Sequence, residues 1–366
     1  MPIQNINLGA YYYLWYGRPT LPVFGGVWKS GYSDQPILGE YNSRDTAVIN
    51  QHIDWAKDAL IDFFAINWSD IDSWDDITLK DYYLPNPKTS EIKFCLHYDS
   101  SLALNRLGVY PSFDFNQKYS STKTKGEKFL DDFDYLAETY FKAPQYLKIN
   151  NRPAVIIYNA SAFRNISGYF EQLKINMARR GISLFLIGDI VCWSGIKLSK
   201  NILSFVWKHP LEEMAKILYR ALRRLSLSNL EKDVNLNKYF DAVTGYNLYA
   251  INRIPNFLEN VGGLYQKFKE YTNAKQVSFI PNIMPGYNDR NLKALDRPIL
   301  ERKEGEFYED FWKTAGKFSD LSPRIVLITS FNEWHEGTEI EPSKEYGDKY
   351  LKLTKLLKNE NTVNKS

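Results

Sequence analysis

The stretch Ile325-Val326-Leu327-Ile328 is apolar at every position. A strand with one face in water alternates apolar and polar residues, whereas a strand covered on both faces is a continuous apolar run. Ala154-Val155-Ile156-Ile157 has the same character. Both stretches are therefore predicted to be strands of a parallel sheet that is buried on both sides.

Eight short runs of this kind, rich in β-branched and aromatic residues, recur along the chain. They are residues 7–13, 62–67, 92–98, 153–158, 183–188, 240–246, 277–282 and 325–330. Segments with helical periodicity lie between them, at residues 46–60, 125–147, 167–180, 211–225, 255–272, 307–318 and 346–357. This alternation predicts an α/β fold with a single (β/α)8 TIM barrel, and a doubly wound open sheet is the structural alternative.

No feature of the sequence divides this pattern into separate domains. We find no linker rich in Pro, Gly or Ser, no internal repeat and no glycine-rich phosphate-binding motif. One catalytic barrel over residues 1–358 is predicted, followed by a flexible polar tail at 359–366. Three long segments follow the first three strands, namely residues 17–44, 70–91 and 98–123. Because active sites of such barrels lie at the carboxyl ends of the strands, we expect these loops to wall a groove there.

The composition excludes several classes of function. The 366 residues hold Lys+Arg 46 and Asp+Glu 43, which is too small a positive excess for nucleic acid to be the main partner. No apolar stretch approaches the roughly 18 residues that cross a bilayer, so no membrane partner is expected. The first ten residues lack the features of a signal peptide, which predicts a cytoplasmic protein unless a leader has been removed.

Metal and cysteine chemistry receive no support from the sequence. Cys95 and Cys192 both lie in apolar runs, which is typical of small core side chains. The four histidines are far apart and none has a metal-ligand spacing. Neither a metal nor any other cofactor is expected.

The aromatic content is high, with Tyr 26, Phe 21 and Trp 9, and many of these residues stand at the ends of apolar runs. Sugar rings stack their apolar faces on aromatic side chains, while nearby polar groups bind the hydroxyls. This pattern favours a carbohydrate substrate, although packing in the core and at its rim would use the same residues.

Four glutamates follow the last predicted strand, in the segment 328–342. They are Glu333, Glu336, Glu339 and Glu341. Carboxylates this dense repel one another, and here they alternate with residues that favour burial. At the end of a barrel strand, a pair of carboxylates can protonate the leaving oxygen of a glycoside and assist attack at the anomeric carbon. Glu333 and Glu336 reach the same side if the chain turns after Asn332.

The segment 332–341 resembles the signature of glycoside hydrolase family 99, the retaining endo-acting α-mannosidases and mannanases. That signature is Asn-Glu-Trp-His-Glu-Gly-Thr-x-Ile-Glu. Residues 10–17, 240–246 and 279–289 are similar to the first, sixth and seventh strands of that family, in the same order. The resemblance therefore spans almost the whole chain.

The resemblance implies a retaining α-glycosidase of the endo-acting type, with α-mannoside-like oligosaccharides or polysaccharides as substrates. Glu333 would act as a base on the substrate's own 2-hydroxyl, and Glu336 as general acid and then base at the glycosidic oxygen. The reaction would pass through a 1,2-anhydro sugar and not through a glycosyl-enzyme ester.

The sequence departs from the family at two places. His97-Tyr98-Asp99 stands where the mannosidases have a Glu-Pro pair, and residues 189–193 do not match. WbsX-type polysaccharide-biosynthesis proteins, often labelled glycosyltransferases, share a related Asn-Glu-Trp-x-Glu-Gly motif. His335 and the residues 338–341 favour the mannosidases. The alternative function is a glycosyltransferase or a non-hydrolytic carbohydrate-binding barrel in glycan biosynthesis.

Eight further residues near the predicted strand ends are candidates for contacting the sugar. They are Tyr12, Tyr13, Trp68, His97, Tyr246, Asn332, Trp334 and His335. For the tyrosines and Trp68, packing at the rim is the competing explanation, and for His97 it is a structural role.

Overall fold

The computed structural model describes residues 6–19, 28, 31–105, 113–190, 236–246, 257–292, 299–320 and 323–363. The strands are β1 Asn7–Tyr12, β2 Phe63–Trp68, β3 Lys93–Tyr98, β4 Lys148–Ile149, β5 Arg152–Ile157, β6 Phe185–Asp189, β7 Ala242–Thr244, β8 Ser278–Phe279, β9 Asn282–Ile283 and β10 Ile325–Ile328. The α-helices are α1 Thr46–Asp58, α2 Trp74–Thr78, α3 Ser100–Ala103, α4 Lys125–Thr139, α5 Ser167–Arg179, α6 Leu236–Tyr239, α7 Phe257–Lys275, α8 Glu306–Gly316 and α9 Lys349–Val363.

The strands form one curled parallel sheet with helices between consecutive strands, as in an α/β barrel. Its order is β8-β7-β6-β5-β3-β2-β1-β10-β9, and β4 is added antiparallel to β5. The first and last long strands are neighbours, with Asn7 opposite Ile325. Every residue of β2 and β10 is buried, so the prediction that these strands are covered on both faces is confirmed.

The predicted strand 277–282 consists of two short strands. Between β8 and β9 stand Ile280 and Pro281, and a proline has no N–H to donate to a neighbouring strand. The Ile280 N–H donates to the Val243 carbonyl at 2.9 Å, whereas the Pro281 carbonyl accepts from the Leu327 N–H at 3.0 Å. The segment therefore pairs first with β7 and then with β10, which places β8 and β9 at opposite ends of the strand order.

The helices agree with the predicted ones to within a few residues, with three exceptions. The predicted helix 125–147 ends at Thr139, because Pro144 cannot continue a helix and disfavours helical backbone at the residue before it. The last helix runs to Val363, past the predicted domain boundary at 358. The predicted helix 211–225 lies outside the described residues. In the described part of the chain, no helix is both long enough and apolar enough to cross a membrane.

Helix α1 carries a histidine to the sheet. Its N-cap is Asp45, whose carboxylate accepts from the Ala47 N–H at 2.8 Å. Its buried residues recur at helical spacing, which places His52 on the face that packs against the strands.

Gly9 is required by the packing of β1. A methyl group added there would lie 2.3 Å from a ring carbon of Phe63 and 2.8 Å from a methyl carbon of Leu327. We expect Gly9→Ala to lower the free energy of unfolding by about 1–3 kcal/mol, because overpacking forces neighbours out of place. Gly168→Ala, where nothing lies within 4 Å, is the matched control and should not destabilise the protein. Urea unfolding of both variants measures the difference, and equal losses would contradict the prediction.

Candidate active site

The glutamate-rich segment leaves β10 and turns back on itself at residues 334–337. The Trp334 carbonyl accepts from the Gly337 N–H at 3.3 Å, and Gly337 has a φ of +61°. The turn is fixed from outside as well, since the Glu336 carbonyl accepts from the Asn288 N–H at 2.7 Å. The chain thus turns after Asn332, as the sequence required for Glu333 and Glu336 to converge.

Two tyrosines lie beside the glutamates. The Tyr246 hydroxyl donates to Glu336 Oε2 at 3.1 Å, and the Tyr13 hydroxyl donates to the Tyr246 hydroxyl. Burial, and then the negative charges of Glu333 and Glu336, raise the pKa of the Tyr13 phenol well above its usual value. Burial, and then the negative charges of the same two carboxylates, also raise the pKa of the Tyr246 phenol well above its usual value. Both phenols therefore stay protonated beside a pair of carboxylates.

Glu333 is held in one orientation by His335. Its Oε1 accepts from the backbone N–H and from the ring Nδ1 of His335, both at 3.1 Å. The imidazole lies parallel to the Tyr16 ring, with 5.7 Å between centroids. Glu333 is only 4% exposed, whereas Glu336 is half-buried. Glu333 is therefore the more buried carboxylate of the pair, and Glu336 is the more exposed one.

A polar, aromatic-lined interior adjoins this pair. The His97 ring is stacked on Tyr246 at 5.7 Å and meets the edge of Tyr11 at 4.8 Å and of Tyr158 at 5.7 Å. In the described part of the chain, neither ring nitrogen of His97 has a hydrogen-bond partner. Asn67 stands opposite His97 on the neighbouring strand. These groups could bind the hydroxyls of a sugar that stacks on the tyrosines.

Burial lowers the pKa of His97 to about 3, so its imidazole is neutral at physiological pH. An unfolded histidine titrates near 6.5. The contribution of the neutral His97 ring to the stability of the fold is therefore fully present above about pH 6.5, and it is lost as the pH falls from there towards 3. We expect the ¹⁵N signals of this ring to remain those of a neutral imidazole at pH 5, with His97→Asn used to assign them. A titration midpoint near 6 would contradict this expectation.

Two predicted sugar contacts lie on the opposite face of the sheet. The Tyr12 hydroxyl contacts His52 Nδ1 at 2.8 Å, and Trp68 Nε1 donates to Asp76 Oδ1 at 2.8 Å. Side chains alternate along a strand, so when Tyr11 and Tyr13 face the interior, Tyr12 points away from it. Tyr11 is not among the predicted contacts, although its two-residue spacing from Tyr13 is a signal that both face the same side.

Two other predicted contacts support the segment after β10. Asn332 Oδ1 accepts from the Tyr13 N–H at 2.8 Å, and its Nδ2 donates to the Tyr13 carbonyl at 2.9 Å. Trp334 is fully buried, and its Nε1 donates to Glu341 Oε2 at 2.9 Å. These side chains fix β1 and the turn relative to each other.

Glu341 is the centre of a buried network that the sequence did not reveal. Its Oε2 also accepts from the Tyr41 hydroxyl at 2.8 Å, and its Oε1 contacts His52 Nε2 at 3.1 Å. The contacts of His52 fit a ring proton on Nε2, with Nδ1 accepting from Tyr12. Glu341 therefore ties α1, β1 and the turn together beneath Trp334.

No set of three His, Cys, Asp or Glu side chains in the described residues is placed to hold a metal ion. Cys95 is a buried free thiol, and burial raises its pKa above the usual range. Cys192 and His209 lie outside the described residues.

A family model described as Glycosyltransferase WbsX covers residues 35–354. The chain belongs to the WbsX family. Among curated relatives, this WbsX protein is 23% identical to the mouse glycoprotein endo-alpha-1,2-mannosidase and 24% identical to the rat protein, in each case over 93% of the chain and 69% of the relative.

Solved structures show the same fold for this WbsX chain. A glycoside hydrolase-like protein has a TM-score of 0.68 at 22% identity, covering 99% of this chain and 96% of the other. The GH99 endo-alpha-mannosidase from Bacteroides thetaiotaomicron has a TM-score of 0.64 at 19% identity, covering 97% of each chain. The predicted resemblance to family 99 is confirmed, and the relatives named endo-alpha-1,2-mannosidase support the predicted enzyme class, a glycoside hydrolase. The chain matches the WbsX family as well, which the motif alone had disfavoured.

Proposed function

We propose that this WbsX family protein is a retaining, endo-acting α-glycosidase of α-mannoside-like glycans, with Glu333 and Glu336 as its catalytic residues. The observation that carries the proposal is the Tyr13–Tyr246 hydroxyl pair, which bonds to Glu336 and lies close to both carboxylates. The relatives named endo-alpha-1,2-mannosidase make α-1,2-linked mannosides the first substrates to test.

In the proposed first step, Glu333 takes the proton of the substrate's 2-hydroxyl, and the 2-oxygen attacks the anomeric carbon. The bond to the leaving oxygen breaks, and that oxygen receives a proton from Glu336. The product is a 1,2-anhydro sugar and a free glycan end. In the second step, Glu336 takes a proton from water, which attacks the anomeric carbon and opens the three-membered ring. Glu333 then returns its proton to the 2-oxygen, and the configuration is retained.

The surroundings of the two glutamates suit these roles. Glu333 is buried and oriented by His335, so it can meet a hydroxyl on the sugar ring. Glu336 is half-buried, so it can exchange its proton with a leaving group and then with water. Tyr246 donates to the Glu336 carboxylate and can stabilise the charge that develops after the proton leaves.

We infer further that the sheet closes as an eight-stranded (β/α)8 barrel, with β8 and β9 as two halves of its seventh strand. Support comes from the continuous segment 278–283, which pairs with both ends of the strand order. The long segments after β1, β2 and β3 would then wall the groove in which an internal bond of a glycan lies.

The test is product analysis by NMR. The enzyme is incubated with α-1,2- and α-1,3-linked manno- and gluco-oligosaccharides, in parallel with Glu333→Gln. Release of an α-configured sugar that disappears in the variant supports the proposal and identifies the linkage. Release of a β-configured sugar would refute the retaining route, and no release across the panel would refute the proposed activity on these glycans.

A second candidate is transfer of the sugar to another glycan, which the family description Glycosyltransferase WbsX favours. The two carboxylates would do the same chemistry if an acceptor hydroxyl replaced water in the second step. Adding an acceptor glycan to the NMR assay distinguishes the two, because a transferase would form a longer product in place of the free sugar.

A further inference from the structure

Arg302 contacts the turn that carries Glu336. Its Nη1 donates to the Glu339 carbonyl at 2.9 Å, and its Nη2 donates to the Gly337 carbonyl at 3.2 Å. Nη2 also donates to Glu339 Oε1. The arginine side chain is only 9% exposed, so this set of contacts is buried. One guanidinium thus satisfies three acceptors on a stretch of three residues.

The guanidinium itself is held in place by aromatic rings. Its central carbon lies 5.0 Å from the ring centroid of Tyr346 and 4.7 Å from that of Tyr350. Cation–π contacts of this kind orient a planar guanidinium. The backbone of residue 302 is also fixed, since Leu300 and Tyr287 exchange two hydrogen bonds of 2.9 and 3.0 Å just before it.

Glu336 is therefore fixed on several sides. Asn288 holds its carbonyl, Tyr246 contacts its carboxylate, and Arg302 holds the carbonyl of the next residue, Gly337. Gly337 has a left-handed backbone, which glycine adopts without a steric cost, so the shape of the turn depends on the hydrogen bonds that hold it. Without Arg302, the carbonyls of Gly337 and Glu339 would lose buried donors, and the turn would have a reason to rearrange.

We propose that Arg302 is a positioning residue that sets the carboxyl group of Glu336 for proton transfer to the leaving oxygen. It acts through the backbone of residues 337–339 and does not touch the substrate. The proposal rests on the proposed function, in which Glu336 is the acid.

The first experiment compares leaving groups. Arg302→Met is assayed on an unactivated α-mannoside and on the corresponding α-mannosyl fluoride, whose fluoride departs without a proton from the enzyme. We expect kcat to fall about 10²-fold on the mannoside, because a small misplacement of a catalytic group has effects of this size. KM and the pre-steady-state rate of fluoride release should change less than about 3-fold. Equal losses on both substrates would overturn the proposal.

Conservative variants separate positioning from folding. Arg302→Lys keeps the charge but cannot hold two carbonyls and a carboxylate in one plane, so we expect it to lose nearly as much activity. Glu339→Gln keeps both backbone bonds of Arg302, and its loss should be several-fold smaller. Arg180→Met is the matched control, since Arg180 forms ion pairs with Asp134 and Glu138 on a distant helix. Full activity of the lysine variant would contradict the proposal.

The second experiment needs no turnover. Amide hydrogen exchange of the segment 333–341 is measured in the wild type, Arg302→Met and Arg180→Met. We expect faster exchange in this segment only for Arg302→Met, and unchanged exchange there would overturn the proposal. If the wild type releases no product from any glycan, the proposed function fails by itself, and the exchange experiment still decides whether Arg302 holds the turn.

Discussion

Glu336→Gln is expected to lower kcat on an unactivated α-mannoside by about 10²–10⁴-fold, because the leaving oxygen then departs without a proton from the enzyme. The α-mannosyl fluoride needs no such proton, so formation of the 1,2-anhydro sugar from it should remain close to the wild-type rate. Glu333→Gln should lose activity on both substrates, because each depends on removal of the 2-hydroxyl proton. Pre-steady-state rates of leaving-group release from the two substrates measure the contrast, because Glu336 also acts as the base in the second step.

The control for this comparison is Glu345→Gln, an exposed glutamate four residues beyond the buried Glu341. It should keep the wild-type rate on both substrates. If Glu336→Gln were slowed equally on the mannoside and on the fluoride, Glu336 would not be the acid. If Glu333→Gln kept its activity on the fluoride, the 1,2-anhydro route would be wrong.

Glu341→Ala is expected to have the largest effect on stability, about 3–5 kcal/mol in the free energy of unfolding. The change leaves the donors of Tyr41, Trp334 and His52 without their acceptor in a buried place. It also removes the contact that links α1 to the turn after β10. Urea unfolding with a constant m-value measures the loss.

Glu341→Gln tests the same network with little change in shape. One oxygen remains to accept hydrogen bonds, while the new NH₂ group faces a donor, so we expect a loss smaller than that of Glu341→Ala. Glu345→Ala, on the surface, should change the free energy of unfolding by less than about 0.5 kcal/mol. Similar values for Glu341→Ala and Glu345→Ala would show that the network does not stabilise the fold.

The strands and the turn that carries Glu333 and Glu336 could be predicted because their signals are local. A strand covered on both faces is apolar throughout, and β10 shows this in four consecutive residues. The convergence of Glu333 and Glu336 depends on one turn of a few residues. The break between β8 and β9 also has a local cause, because Pro281 has no N–H to donate to a neighbouring strand.

The network around Glu341 could not be predicted, because its members are distant in sequence. Tyr41 lies 300 positions from Glu341, and His52 lies 289 positions from it. A single sequence contains no signal that pairs such residues. The positions of Tyr12 and Trp68 were missed for another reason: alternation assigns neighbouring side chains to opposite faces but does not tell which face is inside.

The pairing of β1 with β10 has a consequence for how the enzyme is made. A ribosome synthesises Tyr11 and Tyr13 near the start of the chain, and it synthesises Glu333 and Glu336 only after more than 300 further residues. Until then, β1 has β2 as a neighbour but an open edge on its other side, and unpaired edges favour association between chains. We therefore expect a nascent chain released before β10 to be inactive and prone to aggregate, so that catalytic competence and protection of the β1 edge both depend on the synthesis of β10.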